Sequence, residues 1–309
     1  MKKAALLVTA VVALVVGGRA VMSDVHTAEY KGSQVCVNCH KMLTSKTVVE
    51  GYLNSSHPKA LQKPDDPGAI VSDFSKNPAF KQDKVAYVLG KGDREQDYMD
   101  ANYQVLPAKW DVKAKAWKPR QAADGATQCV GCHVTNYEPV KKTYTQMGVG
   151  CESCHGPGGD HTSTMNKAKI VNPKNLDMAN RNMVCGQCHS AGKDISGKYA
   201  FPVGFRPSDD LTKFFVDAKP TAPGMNQEYS EFITSKHASN GLGCTTCHNP
   251  HGATANPHML VKPINDLCLG CHAAKIKDMK THAPNAAADA TCATCHMENG
   301  VHTFKKPVK

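Results

Sequence analysis

The longest run of apolar residues lies at the N-terminus, where AALLVTAVVALVVGG follows Lys2 and Lys3 and closes on small residues around Gly18 and Ala20. A basic start, a short apolar stretch and a small-residue end predict a secretory signal peptide over residues 1–20. The run falls short of the roughly 18 or more apolar residues of a membrane span, and no later segment is apolar enough to cross a bilayer. Beyond it the apolar pattern is sparse. Val49 and Leu53 precede His57 at i−8 and i−4, and Tyr229 and Ile233 stand in the same relation to His237. This spacing predicts two helices with an apolar face, each ending on its histidine. Tyr103–Pro119 (YQVLPAKWDVKAKAWKP) reads as a small β-hairpin with Val105, Trp110 and Trp117 as packing residues. YAFPVGFRPSDD, punctuated by Pro and Gly, reads as a loop.

Composition sharpens this picture. Aromatic residues make up 6% of the 309, against 24 Gly and 18 Pro. That is too little large apolar side chain for an ordinary core of this size. Another apolar body has to fill the interior.

The cysteines say what it is. All 14 fall in Cys-x-x-Cys-His runs, the pairs being Cys36/Cys39, Cys129/Cys132, Cys151/Cys154, Cys185/Cys188, Cys244/Cys247, Cys268/Cys271 and Cys292/Cys295. The histidines that follow are His40, His133, His155, His189, His248, His272 and His296. Zinc would take such pairs in twos or with separated histidines, and seven pairs do not divide into twos. A disulfide framework would need no histidine after each pair. Covalent haem c needs both: two thiols to bond the vinyl groups and an imidazole for the iron. The chain is therefore expected to carry seven haems. The expected fold is mainly α with long loops and little sheet, one domain over residues 21–309 wrapped round a haem column. Successive first cysteines are 93, 22, 34, 59, 24 and 24 residues apart, and the short intervals predict close neighbours.

Eight histidines remain for the opposite faces of seven irons: His26, His57, His161, His237, His251, His258, His282 and His302. His251 stands three residues after His248. Two histidines on one iron have Cα atoms about 12 Å apart, whereas three residues span at most about 11 Å. His251 is thus expected to serve a neighbouring iron. Either His26 or His258 is the expected spare.

The formal charge of +10 loses Lys2, Lys3 and Arg19 with the signal, and each ferric haem brings about −1. The oxidised protein is then close to neutral, which argues against nucleic-acid binding. Removal of the signal leaves no stable membrane anchor, and the expected location is the periplasm or the cell exterior. An internal echo also stands out: Tyr52–His57 (YLNSSH) matches Phe232–His237 (FITSKH), and GVGC at 148–151 matches GLGC at 241–244.

The runs GVGCESCHGPGGDH, YVLGKGDREQDYM, YQVLPAKWD, FPVGFRP, EYSEFITSKHA, GCTTCHNPHG and CATCHM resemble the multihaem c-type cytochrome family. That family includes the tetrahaem electron acceptor of hydroxylamine oxidoreductase and related octahaem cytochromes. The resemblance implies closely stacked haem pairs and distal ligation by histidines placed like His57, His161, His237, His251 and His302. The expected role is that of an electron carrier between a redox donor and a redox acceptor protein, with self-assembly into a conductive filament as an elaboration. The alternative is a reductase or oxidase of nitrogen or sulfur oxyanions with one open haem. All seven motifs end in histidine, which favours the carrier over the enzyme.

Overall fold

The computed structural model describes residues 27–43, 46–76, 78–218, 226–276 and 278–305; the expected signal peptide and His26 lie outside them. The fold is mainly α with little sheet, and the helices are short. Two of them are α1 (Ser33–Leu43) and α2 (Lys46–Asn54).

Most of the motifs sit on a helix. Cys36, Cys39 and His40 lie in α1, and other helices cover Val130–His133, Cys151–His155, Cys244–Cys247, Ile264–His272 and Cys292–His296. At the fourth motif the helix Met178–Gly186 ends just after Cys185, and the His189 N–H still bonds back to the Cys185 carbonyl at 3.0 Å. One helical turn explains the preference. Residues i, i+3 and i+4 share a face, so both thiols and the imidazole point the same way.

The hairpin is present. Strands Ala108–Asp111 and Ala116–Pro119 pair antiparallel, with Trp110 opposite Trp117. It is the end of a larger sheet than the sequence pattern suggests: β1 (Leu61–Gln62), β2 (Tyr87–Leu89), β3 (Glu95–Met99), β4 (Ala108–Asp111) and β5 (Ala116–Pro119), paired in sequence order. Strand alternation gives the sheet two covered faces. On one, Leu61, Tyr87, Leu89, Met99 and Val105 pack with Ala126 and Val130 beside the second motif. On the other, Val88, Tyr98 and Trp110 meet Phe74, Phe80 and Trp117.

Gln96, in β3, is fully buried against the segment between β1 and β2. Its amide nitrogen donates to the Ala69 carbonyl at 2.7 Å, while its oxygen accepts from Val71 N–H at 3.0 Å and from the Tyr98 hydroxyl at 2.6 Å. Gln96→Ala strands three buried polar groups. The expected loss is about 2–4 kcal/mol, read as a lower thermal unfolding midpoint; an unchanged midpoint would refute the role given to this amide.

Candidate functional site

The motifs meet in pairs through a shared capping contact. The N–H of Cys151 donates to Ser33 Oγ at 2.8 Å, that of Cys244 to Asn182 Oδ1 at 3.0 Å, and that of Cys292 to Asn265 Oδ1 at 2.9 Å. Each acceptor lies three residues before the first cysteine of another motif: Cys36, Cys185 and Cys268. A helix start leaves orphan N–H groups, and here the neighbouring motif satisfies one. The first thiols of the same pairs, Cys36/Cys151, Cys185/Cys244 and Cys268/Cys292, lie against each other. In the first pair the contact between the thiols pushes Cys36 up and holds Cys151 down to about 7. Second thiols make the remaining links: Cys188 meets Cys132 and has Cys154 near it, and Cys247 has Cys271 near it. All fourteen cysteines are free of disulfides.

Cys39, Cys271 and Cys295 are exposed, whereas the other cysteines are half-buried or, in Cys292, buried. All three are the second cysteines of their motifs, the first, sixth and seventh. Those motifs stand towards the two ends of the run of thiol contacts, where fewer segments of chain pack against them. Within the seventh motif the two thiols differ for the same reason. Cys292 lies against Cys268 and its N–H is capped by Asn265, while Cys295, one turn on, faces solvent.

Glu152, inside the third motif, is 1% exposed. Its carboxylate accepts from the backbone N–H groups of Lys31, Gly32 and Gly158 at 2.7–3.1 Å. The residues before the first motif are thereby tied to the third. Sequence reasoning passed over this side chain, as it did Ser33, Asn182 and Asn265.

Five motif histidines face a histidine from elsewhere in the chain. The ring centres are 6.3 Å apart for His40/His161, 6.1 Å for His155/His251, 6.2 Å for His248/His302, 6.0 Å for His272/His237 and 6.1 Å for His296/His282. Imidazole nitrogens bind such metals at about 2 Å, and each lies about 1 Å from its ring centre, so two rings on one iron are about 6 Å apart. Interplanar angles range from 16° to 84°, as rotation about the N–metal–N axis permits.

Tautomers agree with this. Nδ1–H donates to a backbone carbonyl in His133 (Ala60, 2.7 Å), His155 (Val171, 2.9 Å), His248 (His258, 2.8 Å), His296 (Lys305, 3.2 Å), His161 (Asn166, 3.0 Å) and His302 (Gly300, 2.7 Å). A carbonyl only accepts, so the Nε2 lone pair is left free to bind a metal. Burial pushes His133, His155, His237, His248 and His251 below the usual histidine range. His57 is pushed down to about 4, by burial and then by the nearby His189 imidazole. Neutral imidazole is the ligating form. His237 Nδ1 is buried and has no hydrogen-bond partner among the described residues. These residues fit haem iron.

The pairs follow an order. His161, His251 and His302 come after the third, fifth and seventh motifs, and each faces the motif two places earlier. His57, between the first and second motifs in the chain, packs against the start of the third and lies near His189 of the fourth; His237 packs against the start of the fifth and faces His272 of the sixth. The echoed segments explain the parallel. The turn Tyr52–Ser55 recurs as Phe232–Ser235, each closed by a serine N–H to the aromatic residue's carbonyl. Val149 N–H donates to the His57 carbonyl and Leu242 N–H to the His237 carbonyl, at 2.8 and 3.1 Å. His258 is exposed and faces no histidine ring among the described residues; it contributes its carbonyl to His248.

The two expected helices stop short of their histidines. α2 ends at Asn54, three residues before His57, and the helix Glu228–Phe232 ends before a new one, Lys236–Ser239, capped by Ser235. Val49 and Tyr229 are buried as expected, but Leu53 and Ile233 are each 43% exposed. A serine turn, not a continuous apolar face, aims these imidazoles.

Gly148 fixes the turn that carries His57. It has φ +76°, and a Cβ there would collide with the Pro58 carbonyl. The Ala60 carbonyl, two residues on, orients His133. Gly148→Ala is expected to lose at least about 1–3 kcal/mol, measured as a drop in thermal midpoint; Gly197→Ala, also at positive φ but with nothing near its Cβ, should lose less.

Two family models match parts of the chain: "Cytochrome c554 and c-prime" over residues 96–156 and "Doubled CXXCH motif" over 237–277. The multiheme cytochrome MtrA of Shewanella baltica is 26% identical over 207 residues, which are 54% of this chain and 62% of MtrA. The dissimilatory sulfite reductase MccA of Wolinella succinogenes is 27% identical over 188 residues, 52% of this chain and 24% of MccA. The chain therefore spans less than two thirds of these relatives. Among solved structures, the outer cell wall cytochrome OcwA superimposes with a TM-score of 0.69 at 21% identity, over 90% of this chain and 80% of OcwA.

Proposed function

We propose that this chain, a multihaem c-type cytochrome, binds seven haems and transfers electrons between redox partner proteins outside the cytoplasm. The observation that carries this is the recurring separation of about 6 Å between a motif imidazole and a second imidazole, found five times. The haems, when bound, supply reversible one-electron chemistry at the iron. The chain holds each by two thioethers and a motif histidine. The opposite ligands are His161 for the first motif, His251 for the third, His57 for the fourth, His302 for the fifth, His237 for the sixth and His282 for the seventh. A saturated iron has no place for substrate, so the residues present favour electron transfer over bond chemistry.

The thiol contacts support an order of sites. It runs from the first motif to the third, fourth, fifth, sixth and seventh, with the second beside the fourth. His57 and His237 are assigned to the fourth and sixth motifs. The second motif is left, and His26, outside the described residues, is assigned to it because His258 is exposed and faces no histidine ring among the described residues. His258 is then the spare.

A second reading attaches to the second motif alone. No histidine ring faces His133 among the described residues, and an open iron there would suit an oxyanion reductase, the activity that MccA's name carries. Electron paramagnetic resonance with carbon monoxide titration separates the two. The carrier reading expects low-spin ferric signals throughout, no carbon monoxide binding, and one new high-spin iron in His26→Ala. A high-spin, carbon-monoxide-binding iron in the unaltered protein would favour the reductase instead.

The other ligands are tested the same way. His251→Ala is expected to open one iron and leave six low-spin, whereas His258→Ala should leave the spectrum unchanged. The reverse result would overturn the ligand assignment.

A further inference from the structure

The fourth motif differs from its neighbours in what meets the back of its histidine. At the second, third, fifth and seventh motifs, Nδ1–H donates to a neutral backbone carbonyl. His189 Nδ1–H instead meets the carboxylate of Glu228, at 3.1 Å.

Glu228 is held there. It opens the helix Glu228–Phe232, and three successive residues of that helix clasp residues 189–191. Glu228 takes the His189 ring. The Tyr229 N–H donates to the His189 carbonyl at 2.8 Å. Ser230 Oγ accepts from the Ala191 N–H at 3.2 Å and donates to Asp217. The side chain of Glu228 is 35% exposed, yet its backbone is fixed on both sides of the contact.

We propose that Glu228 is a positioning residue that lowers the reduction potential of the iron held by His189. The inference rests on the reading that the motifs bind haem. A carboxylate draws the Nδ1 proton more strongly than a carbonyl does and makes the imidazole a more basic ligand. A more basic ligand stabilises the ferric state over the ferrous. The position gives this consequence, because the fourth motif touches the second and the fifth and lies near the third. A lowered potential at that junction keeps an electron from resting where the paths meet.

The experiment uses the holoprotein, first counting haems by intact mass, then measuring potentials by spectroelectrochemical titration and ferric spectra by electron paramagnetic resonance. The unaltered protein should show seven haems; fewer would sink the functional reading itself and is told apart from a failure of this proposal. Glu228→Gln, which keeps shape and removes charge, is expected to raise one midpoint potential by at least about 59 mV, a tenfold change in that one-electron equilibrium. It should also shift the low-field g value of one signal. Glu228→Asp, which keeps the charge but shortens its reach, should move the same signal less, and it carries the test if the Gln variant loads fewer haems. Unchanged potentials and g values would overturn the proposal. So would a small shift spread over all sites with no change in g, since that is the mark of a lost surface charge.

Discussion

The fold depends on how the N–H groups at the starts of very short helices are satisfied. A helix of four or five residues cannot support itself, and Cys151–His155, Cys244–Cys247 and Cys292–His296 are of that length. Each obtains a cap from the side chain three residues before another motif's first cysteine. That contact brings the two first thiols together. It thereby sets which motifs are neighbours, and it does so through hydrogen bonds that need almost no apolar core. The buried carboxylate of Glu152 adds a second layer. By collecting three backbone N–H groups from two segments, it holds the approach to the first motif against the third.

The same economy of apolar packing explains what could and could not be read from the chain. Cys-x-x-Cys-His is fixed by covalent chemistry and reads directly. Which of those cysteines face solvent, as Cys295 does and Cys292 does not, depends on the pairing of motifs and has no sequence signal. The hairpin was legible because Trp110 and Trp117 sit at matching positions in strands of four residues. The strands before it were not, because β1 and β2 are two and three residues long and are covered on both faces, which erases polar–apolar alternation. The caps had a signal that went unused: Ser33, Asn182 and Asn265 are polar residues of the type that favours helix starts, and they recur at one offset from a cysteine. Glu152 had none, since a carboxylate inside a motif reads as solvent-facing until its partners are known.

Histidine placement shows where periodicity misleads. Apolar residues at i−4 and i−8 suggested helices that deliver His57 and His237. A serine turn interrupts both, so one of each apolar pair faces solvent. The interruption is useful. Continuing the helix would keep the imidazole in register with a buried face, whereas the turn frees it to project at an angle and lets its carbonyl accept from the Gly-x-Gly-Cys segment. That the arrangement occurs twice, with the same hydrogen bonds, makes the sequence echo a structural one.

The helix Glu228–Phe232 shows how one such segment can act on two sites. Glu228 reaches the ring of His189 in the fourth motif. Glu231, 5% exposed, accepts the His302 N–H at 2.8 Å and so holds the residue that faces His248 in the fifth. Gln227 steadies Glu231 from the preceding turn. The two carboxylates do different work. Glu231 meets a backbone N–H and fixes a position; Glu228 meets a ring nitrogen and places its carboxylate behind the imidazole of His189. Both lie within one turn, so one short helix holds His189 of the fourth motif and His302, which faces His248 of the fifth. A displacement of this helix would therefore be felt at both.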